Sequence, residues 1–320
     1  MLAQDYPAEL MEILIADGMS TDDTHLILQK IQSQKPHIKL IDNPPGIVPT
    51  GLNSLISQAK GEVLIRVDGH CVIEPDYVSN CVRHLQNDDV DSVGGPMHSI
   101  GEDFLSSVIA LAMSSKFGVG NSSFRTETGQ TKLADTVPFP AYTRAIIEKV
   151  GLYDEELVRN QDDEYNYRIR EAGGKILLAQ DVRSTYYSRG SLKKLWKQYF
   201  GYGYWKVRVL QKHPRQMSLR QFIPPLFVLG LLFSLLIAVL FTWGWIMPLV
   251  VLIAYLLAAF ASAIKEGRAL GFKAIILLPL VFAVIHLGYG SGFLWGLVKF
   301  SHRWGDKMGK VPQDRSLNGK

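Results

Sequence analysis

Three short constellations in the 320-residue chain carry side chains whose types and spacing could do chemistry. Asp68-Gly69-His70 puts a carboxylate and an imidazole two residues apart after an apolar run. Both could face a divalent ion bridging a nucleotide diphosphate, and the same triplet also suits a surface turn. Asp17 opens the run Asp17-Gly18-Met19-Ser20-Thr21-Asp22-Asp23-Thr24. A carboxylate there can accept hydrogen bonds from a base or ribose, while Thr21 or Asp22 caps the helix that follows. Asn160-Gln161-Asp162-Asp163-Glu164 sets three successive acids at the head of a helical stretch. There they interact favourably with the helix dipole, and one can equally serve as a general base that takes a proton from an attacking hydroxyl. Spacing alone leaves both readings open.

These residues need elements to hold them. Residues 12–16 (EILIA) form a short apolar strand ending at Asp17, and Leu26, Ile27 and Ile31 then recur at helical spacing. Residues 38–41 read as a second strand. Past the loop at Pro44, Pro45, Gly46 and Pro49, Leu52, Leu55, Ile56 and Ala59 make a helical stripe closed by Gly61. Residues 62–67 (EVLIRV) form a third strand with Asp68 at its carboxyl end, and Pro75 suits the first position of a helix running to Leu85. Strands alternating with helices predict an α/β layer with a mostly parallel sheet, whose ligands gather beyond the strand carboxyl ends. Residues 101–140 read as functional loops, 145–150 and 163–172 as helices, and 176–178 as a strand.

The remainder is of a different kind. Residues 222–243 and 246–264 are each near the roughly 20 residues that span a bilayer. Only Gly244 and Trp245 separate them, so a tight hairpin is expected. Residues 274–298 are long enough too, but His286, Gly288, Gly290 and Gly292 leave a full span and a re-entrant or interfacial second half both open. Between Asp181 and Glu266 there is no acidic residue, while Arg183, Arg189, Lys193, Lys194, Lys197, Lys206, Arg208, Lys212, Arg215 and Arg220 precede the first apolar run. Such a block reads as the cytoplasmic side of a membrane. Leu192, Leu195, Trp196 and Tyr199 lie at i, i+3, i+4 and i+7, an amphipathic helix suited either to the membrane interface or to packing on the preceding domain. The formal net charge of +4 is too small to imply a nucleic-acid partner, and Cys71 and Cys81 make no disulfide framework. With no charge between Phe222 and Ile264, a transporter lined by intramembrane charges is disfavoured.

The order of the motifs resembles glycosyltransferase family 2. The resemblance rests on Asp17 with Ser20-Thr21-Asp22-Asp23-Thr24, Asn53, Gly61-Glu62, Asp68-Gly69-His70, Val150-Gly151-Leu152-Tyr153-Asp154-Glu155 and Gln161-Asp162-Asp163-Glu164, and covers about residues 2–178. Phe139-Pro140-Ala141-Tyr142, Asn160-Gln161-Asp162-Asp163 and Tyr202-Gly203-Tyr204-Trp205-Lys206 make it most similar to the succinoglycan-biosynthesis type, which extends a polyprenyl-diphosphate-linked sugar. His70 stands where the family usually has a second acid, Gln161 where it usually has Glu, and no Gln-x-x-Arg-Trp motif of processive synthases occurs. Family members also begin with a strand before the segment matching Gln4-Asp5-Tyr6-Pro7, so a domain lacking that first strand is expected.

The resemblance implies a nucleotide-diphospho-sugar transferase (GT-A-like) α/β domain over residues 1–190, a basic amphipathic segment over 191–221, a transmembrane region over 222–300 and a basic tail over 301–320. It implies inverting transfer, with Asp162 as catalytic base, Asp17 and Asp68 at the nucleotide sugar, and Asp68 and His70 holding a divalent ion, Mg or Mn. The implied partners are a nucleotide-sugar donor, a lipid-linked saccharide acceptor and a bacterial-type inner membrane with the catalytic domain cytoplasmic. A catalytically impaired, membrane-anchored binding or scaffold protein derived from such a transferase is the alternative.

Overall fold

The computed structural model describes residues 1–126 and 129–306. The chain opens with β1 (Ile13–Asp17), α1 (Thr24–Gln34), β2 (Ile38–Asp42) and α2 (Val48–Gln58). β3 (Val63–Ile65), β4 (Cys71–Ile73), α3 (Tyr77–Asn87), β5 (Ser92–Gly94) and β6 (Met97–Ile100) follow. The stretch expected to be loops contains α4 (Phe104–Met113), α5 (Lys116–Val119), α6 (Ser123–Thr126) and β7 (Lys132–Leu133). Then come β8 (Ala141–Thr143), α7 (Arg144–Val150), α8 (Gln161–Glu171), β9 (Ile176–Leu178) and β10 (Ser184–Tyr187). Four long helices finish the chain: α9 (Leu192–Lys212), α10 (Ile223–Leu240), α11 (Ile246–Gly267) and α12 (Phe272–Lys299).

The α/β domain followed by apolar helices is as expected, and its strands pair in mixed fashion. β1 and β2 form a parallel pair, β4-β10-β6 a three-stranded sheet, and β3-β8-β5-β9-β7 a five-stranded sheet. β5 and β9 run parallel, as do β6 and β10, whereas β8 is antiparallel to both β3 and β5. The chain reaches β8 by the long excursion after β6 rather than by a single crossover helix, so nothing constrains β8 to run parallel.

Two local expectations change. The cap is Asp23, not Thr21 or Asp22, although Asp22 accepts from the Thr24 amide at 3.1 Å. Leu26 and Ile27 are 65% and 56% exposed, because α1 covers only the two-stranded β1-β2 pair, a surface too narrow to bury a full apolar stripe.

Residues 219–240, 246–270 and 272–299 form three helices long and apolar enough to cross a membrane. Their side chains stay apolar on the outward side, with Leu232, Phe233, Val250 and Leu257 all more than half exposed. A helix apolar all round belongs either in the core of a large protein or in a membrane. α12 is continuous through the stretch containing the unusual glycines, and its contacts with α9 explain them. A Cβ on Gly292 would stand 2.1 Å from the Phe200 carbonyl oxygen, and one on Gly296 would stand 2.7 Å from that of Tyr204. From the α9 side, a Cβ on Gly203 would meet the Tyr289 carbonyl oxygen at 2.0 Å. Glycine at these places lets the two backbones touch.

α9 therefore packs against both the catalytic core and α12. Leu195 and Tyr199 are buried, while Lys193, Lys194 and Lys197 stay exposed. The basic block does not act as one surface: Lys206, Arg208 and Lys212 are buried in ion pairs with Asp163, Glu156 and Asp154. Residues 307–320 of the expected basic tail lie outside the described residues.

Candidate active site

Asp68 lies just past β3, and both its oxygens are held by one neighbour. Arg66 Nε donates to Oδ1 at 2.9 Å and Nη2 to Oδ2 at 3.1 Å, a bidentate fork. The Arg66 side chain is only 8% exposed. Burial opposes its charge, but the neighbouring Asp68, Tyr153 and Asp162 more than offset this and raise its pKa well above the ordinary value. Arg66 thus marks the point where Asp68 and Asp162, separated in sequence, come into one electrostatic field.

His70 is exposed on one side and packs edge-on against Tyr186 at 5.2 Å on the other. Desolvation on the packed side lowers its pKa; Asp68 works against this, and Arg189, Arg66 and Arg159 reinforce it. A neutral imidazole is the form that binds a metal. No cluster of three or more His, Cys, Asp or Glu side chains able to enclose an ion occurs among the described residues. One carboxylate with free lone pairs beside one neutral imidazole suits an ion whose other ligands come from a diphosphate and water.

The acidic motif is built by α8. Asn160 precedes the helix in the left-handed region (φ 62°, ψ 16°), which Asn tolerates better than most residues, and its Nδ2 donates to the Tyr202 carbonyl of α9 at 2.9 Å. The three acids then diverge. Asp163 pairs with Lys206. Glu164, 2% exposed, accepts from Arg168 Nε at 2.7 Å and from His213 Nε2 at 3.0 Å. Burial opposes the Glu164 charge, but these donors prevail and lower its pKa. Asp162 has no cation in contact among the described residues; its Oδ1 accepts only from the Asp163 amide, at 3.0 Å.

Asp17 sits at the end of β1, 5% exposed, and its carboxylate is already engaged locally. It accepts from Ser20 Oγ at 2.5 Å and from His25 Nδ1 at 2.9 Å. The Ser20 hydroxyl, opposed by burial and helped by His25, lowers its pKa, so it is ionised. No described hydrogen bond or ion pair links Asp17 to Asp68 or Asp162; it belongs to the β1–β2 side of the domain.

Motifs distant in sequence meet behind the site. Asn53 of α2 donates to the Tyr153 carbonyl and to Glu155 Oε1, both at 2.9 Å, and accepts from the Tyr153 amide at 2.8 Å. Tyr153 stacks on Tyr165 of α8 at 4.0 Å, so the segment before α8 and the base of α8 are locked together.

Sequence reasoning missed Arg66 and Glu156. Arg66 left a signal: a cation inside the apolar run 62–67 needs an anion, and Asp68 is two residues away, on the same side of an extended chain. Glu156 left none, since Arg208 and Arg303 reach it from 52 and 147 residues away.

The sequence profile of Glycosyl transferase family 2 matches residues 1–153. The chain is 31% identical to the succinoglycan biosynthesis protein ExoA of Rhizobium meliloti (strain 1021), over 91% of this chain and 87% of that protein. The chain belongs to glycosyltransferase family 2. It is a glycosyltransferase, related to transferases of polysaccharide and lipid-linked sugar assembly. A second relative is the dolichyl N-acetyl-alpha-D-glucosaminyl phosphate 3-beta-D-2,3-diacetamido-2,3-dideoxy-beta-D-glucuronosyltransferase of Methanococcus voltae. It is 28% identical, over 92% of this chain and 90% of the relative. Among solved structures, a mannosyltransferase from Pyrobaculum calidifontis in complex with GDP-Man and Mn2+ aligns with a TM-score of 0.57 at 16% identity, covering 92% of this chain and 81% of that one. That likeness shows the fold, which is GT-A-like.

Proposed function

We propose that this family 2 enzyme moves a sugar, with inversion, from a nucleotide-diphosphate donor to a hydroxyl of a polyprenyl-diphosphate-linked saccharide, in building an extracellular or cell-surface polysaccharide. The observation that carries the catalytic part is the fate of the three acids on α8. Lys206 holds Asp163, while Arg168 and His213 hold Glu164, which leaves Asp162 as the carboxylate able to accept a proton. Asp162 removes the proton of the acceptor hydroxyl as its oxygen attacks the anomeric carbon, and the diphosphate departs from the opposite face. Asp68 and His70 are the residues that would hold a divalent ion, which supplies neutralisation of charge on the leaving diphosphate. Asp17 receives the base or ribose of the donor.

The lipid-linked acceptor is supported by two relatives, one named for succinoglycan biosynthesis and the other for transfer onto a dolichyl-linked sugar, and by the three apolar helices. In this reading the apolar helices sit in a bacterial-type inner membrane and the catalytic domain faces the cytoplasm. Asp162→Asn should abolish transfer while nucleotide-sugar affinity stays at the wild-type value. Retained turnover would assign the base elsewhere.

One observation favours the impaired binding protein: among the described residues β1 and β2 pair only with each other, apart from the five-stranded sheet. Hydrolysis of a nucleotide sugar by the purified wild-type chain would exclude it.

A further inference from the structure

On the membrane side of Asp68 and Asp162 lies a group of cations for which the catalytic reading has no use. Arg125 lies in α6, Arg159 precedes α8, and Arg189 lies between β10 and α9. Two of the guanidiniums lie over aromatic rings: Arg159 over Tyr202 at 5.7 Å, and Arg125 over Tyr186 at 5.9 Å. Arg189 follows Tyr186 by three residues, on the connection that leaves β10 for α9. Gln198 of α9 joins the two tyrosines, donating to the Tyr202 hydroxyl at 3.0 Å and to that of Tyr186 at 3.4 Å.

None of the three arginines makes an ion pair among the described residues. Two guanidinium donors within the group are buried without a partner, Arg125 Nη1 and Arg159 Nε. Unpaired buried donors on cations are costly and are rare unless an anion completes them. The fork of a guanidinium fits phosphate oxygens two at a time.

The position of the group says which phosphate. The segment carrying Arg125 is tied to the apolar helices twice. The Phe117 carbonyl accepts from His286 Nε2 of α12 at 2.9 Å, and the Asn121 carbonyl accepts from Arg220, just ahead of α10. Tyr202 and Gln198 belong to α9, whose backbone touches α12 at Gly203 and Gly292. The cations therefore stand between the catalytic carboxylates and the helices that enter the lipid.

We propose that Arg125, Arg159 and Arg189 form an oxyanion site, walled by Tyr186, Tyr202 and Gln198, that takes the diphosphate of a lipid-linked acceptor and sets its sugar beside Asp162. This rests on the lipid-linked acceptor reading above. The aromatic walls give the guanidiniums cation–π support while the site is empty of anion, and the diphosphate supplies the missing hydrogen-bond acceptors.

The test uses the full chain in nanodiscs, with geranylgeranyl diphosphate as the lipid probe, inorganic pyrophosphate as the free-phosphate probe, and UDP and GDP with Mn2+ as donor-side probes. Binding is measured for wild type, Arg125→Gln, Arg159→Gln and Arg189→Gln, with Arg159→Lys as a milder change and thermal unfolding as the check on folding. Loss of one charge-assisted fork should weaken the lipid diphosphate by about tenfold or more in each Gln variant. Arg159→Lys should fall between wild type and Arg159→Gln, and UDP and GDP affinities should hold. Unchanged lipid binding in folded variants overturns the proposal. So does nucleotide binding that weakens in step, which would put these arginines on the donor diphosphate, or a site that takes pyrophosphate but not the lipid. Because binding needs no turnover, a chain that binds the lipid yet transfers nothing would fault the transferase reading and leave the site standing.

Discussion

Glu156→Gln removes one negative charge from the place where the catalytic domain meets the end of the apolar helices. Glu156 is 2% exposed and accepts from Arg208 Nε at 2.9 Å and Nη2 at 3.0 Å, from Lys212 Nζ at 2.7 Å, and from Arg303. Lys212 would keep Asp154, and Arg303 would keep Asp306. Arg208, with a side chain 0% exposed, would keep the Gln211 amide oxygen, backbone carbonyls, the Phe300 ring and Asp306 at 4.0 Å. Breaking a buried pair from one side costs roughly 3–5 kcal/mol, because the surviving charge stays buried. Gln keeps one acceptor oxygen, which puts the expected loss near the lower bound. Spread over a chain of this size, that corresponds to a fall in Tm of about 5 °C. The assay is thermal unfolding in detergent followed by tryptophan fluorescence, since Trp205 packs on Phe300 at 5.7 Å beside this cluster. As a control, Asp89→Asn, which removes the exposed partner of Lys175, should leave Tm nearly unchanged. A wild-type Tm for Glu156→Gln would refute the idea that this buried network clamps the two parts together.

Three further outcomes follow from the same geometry. Gly292→Leu places side-chain atoms where the Phe200 carbonyl now stands 2.1 Å from an ideal Cβ, so α9 and α12 must separate; a cysteine pair across the wild-type contact should crosslink, and the same pair in Gly292→Leu should not. Arg66→Lys keeps the charge but loses the fork on Asp68, so transfer activity should fall at least about tenfold and the Mn2+ concentration for half-maximal activity should change; an unaltered Mn2+ titration would separate Asp68 from the ion. Glu156 and Glu164 both have folded pKa values held below 4.5. Their contribution to stability is therefore complete above that value and is lost as pH falls through the depressed folded values. Protonation of these two carboxylates should make Tm drop below about pH 4.5, and in Glu156→Gln that acid-side drop should be shallower.

Much of the site was legible because its signals are local. Asp17 and Asp68 stand where apolar runs end, and those runs do form β1 and β3. The strand at residues 176–178 was readable in full, and the head of α8 nearly so, since apolar patterning and glycine punctuation are short-range. The pairing of β8 was not, because strand direction depends on where the long excursion through α4, α5 and α6 returns. Nor could spacing say which of Asp162, Asp163 and Glu164 is engaged by a cation; Lys206 holds Asp163 and His213 holds Glu164 from 43 and 49 residues away. The lysines and arginines ahead of the apolar helices looked like one membrane-facing block, yet half of a helix can be buried against carboxylates that only the tertiary fold brings near. The glycines of α12 looked irregular for a span until α9 supplied the backbone they touch.

The most direct measurement is incorporation of label from a panel of radiolabelled nucleotide sugars into the lipid fraction of membranes carrying the wild-type chain or Asp162→Asn. The expected result is label in the lipid extract from one donor, present with the wild-type chain and absent with the variant. Equal labelling by Asp162→Asn, or label confined to protein or water-soluble polymer, would contradict the assignment of this chain as a lipid-linked saccharide transferase using Asp162 as its base.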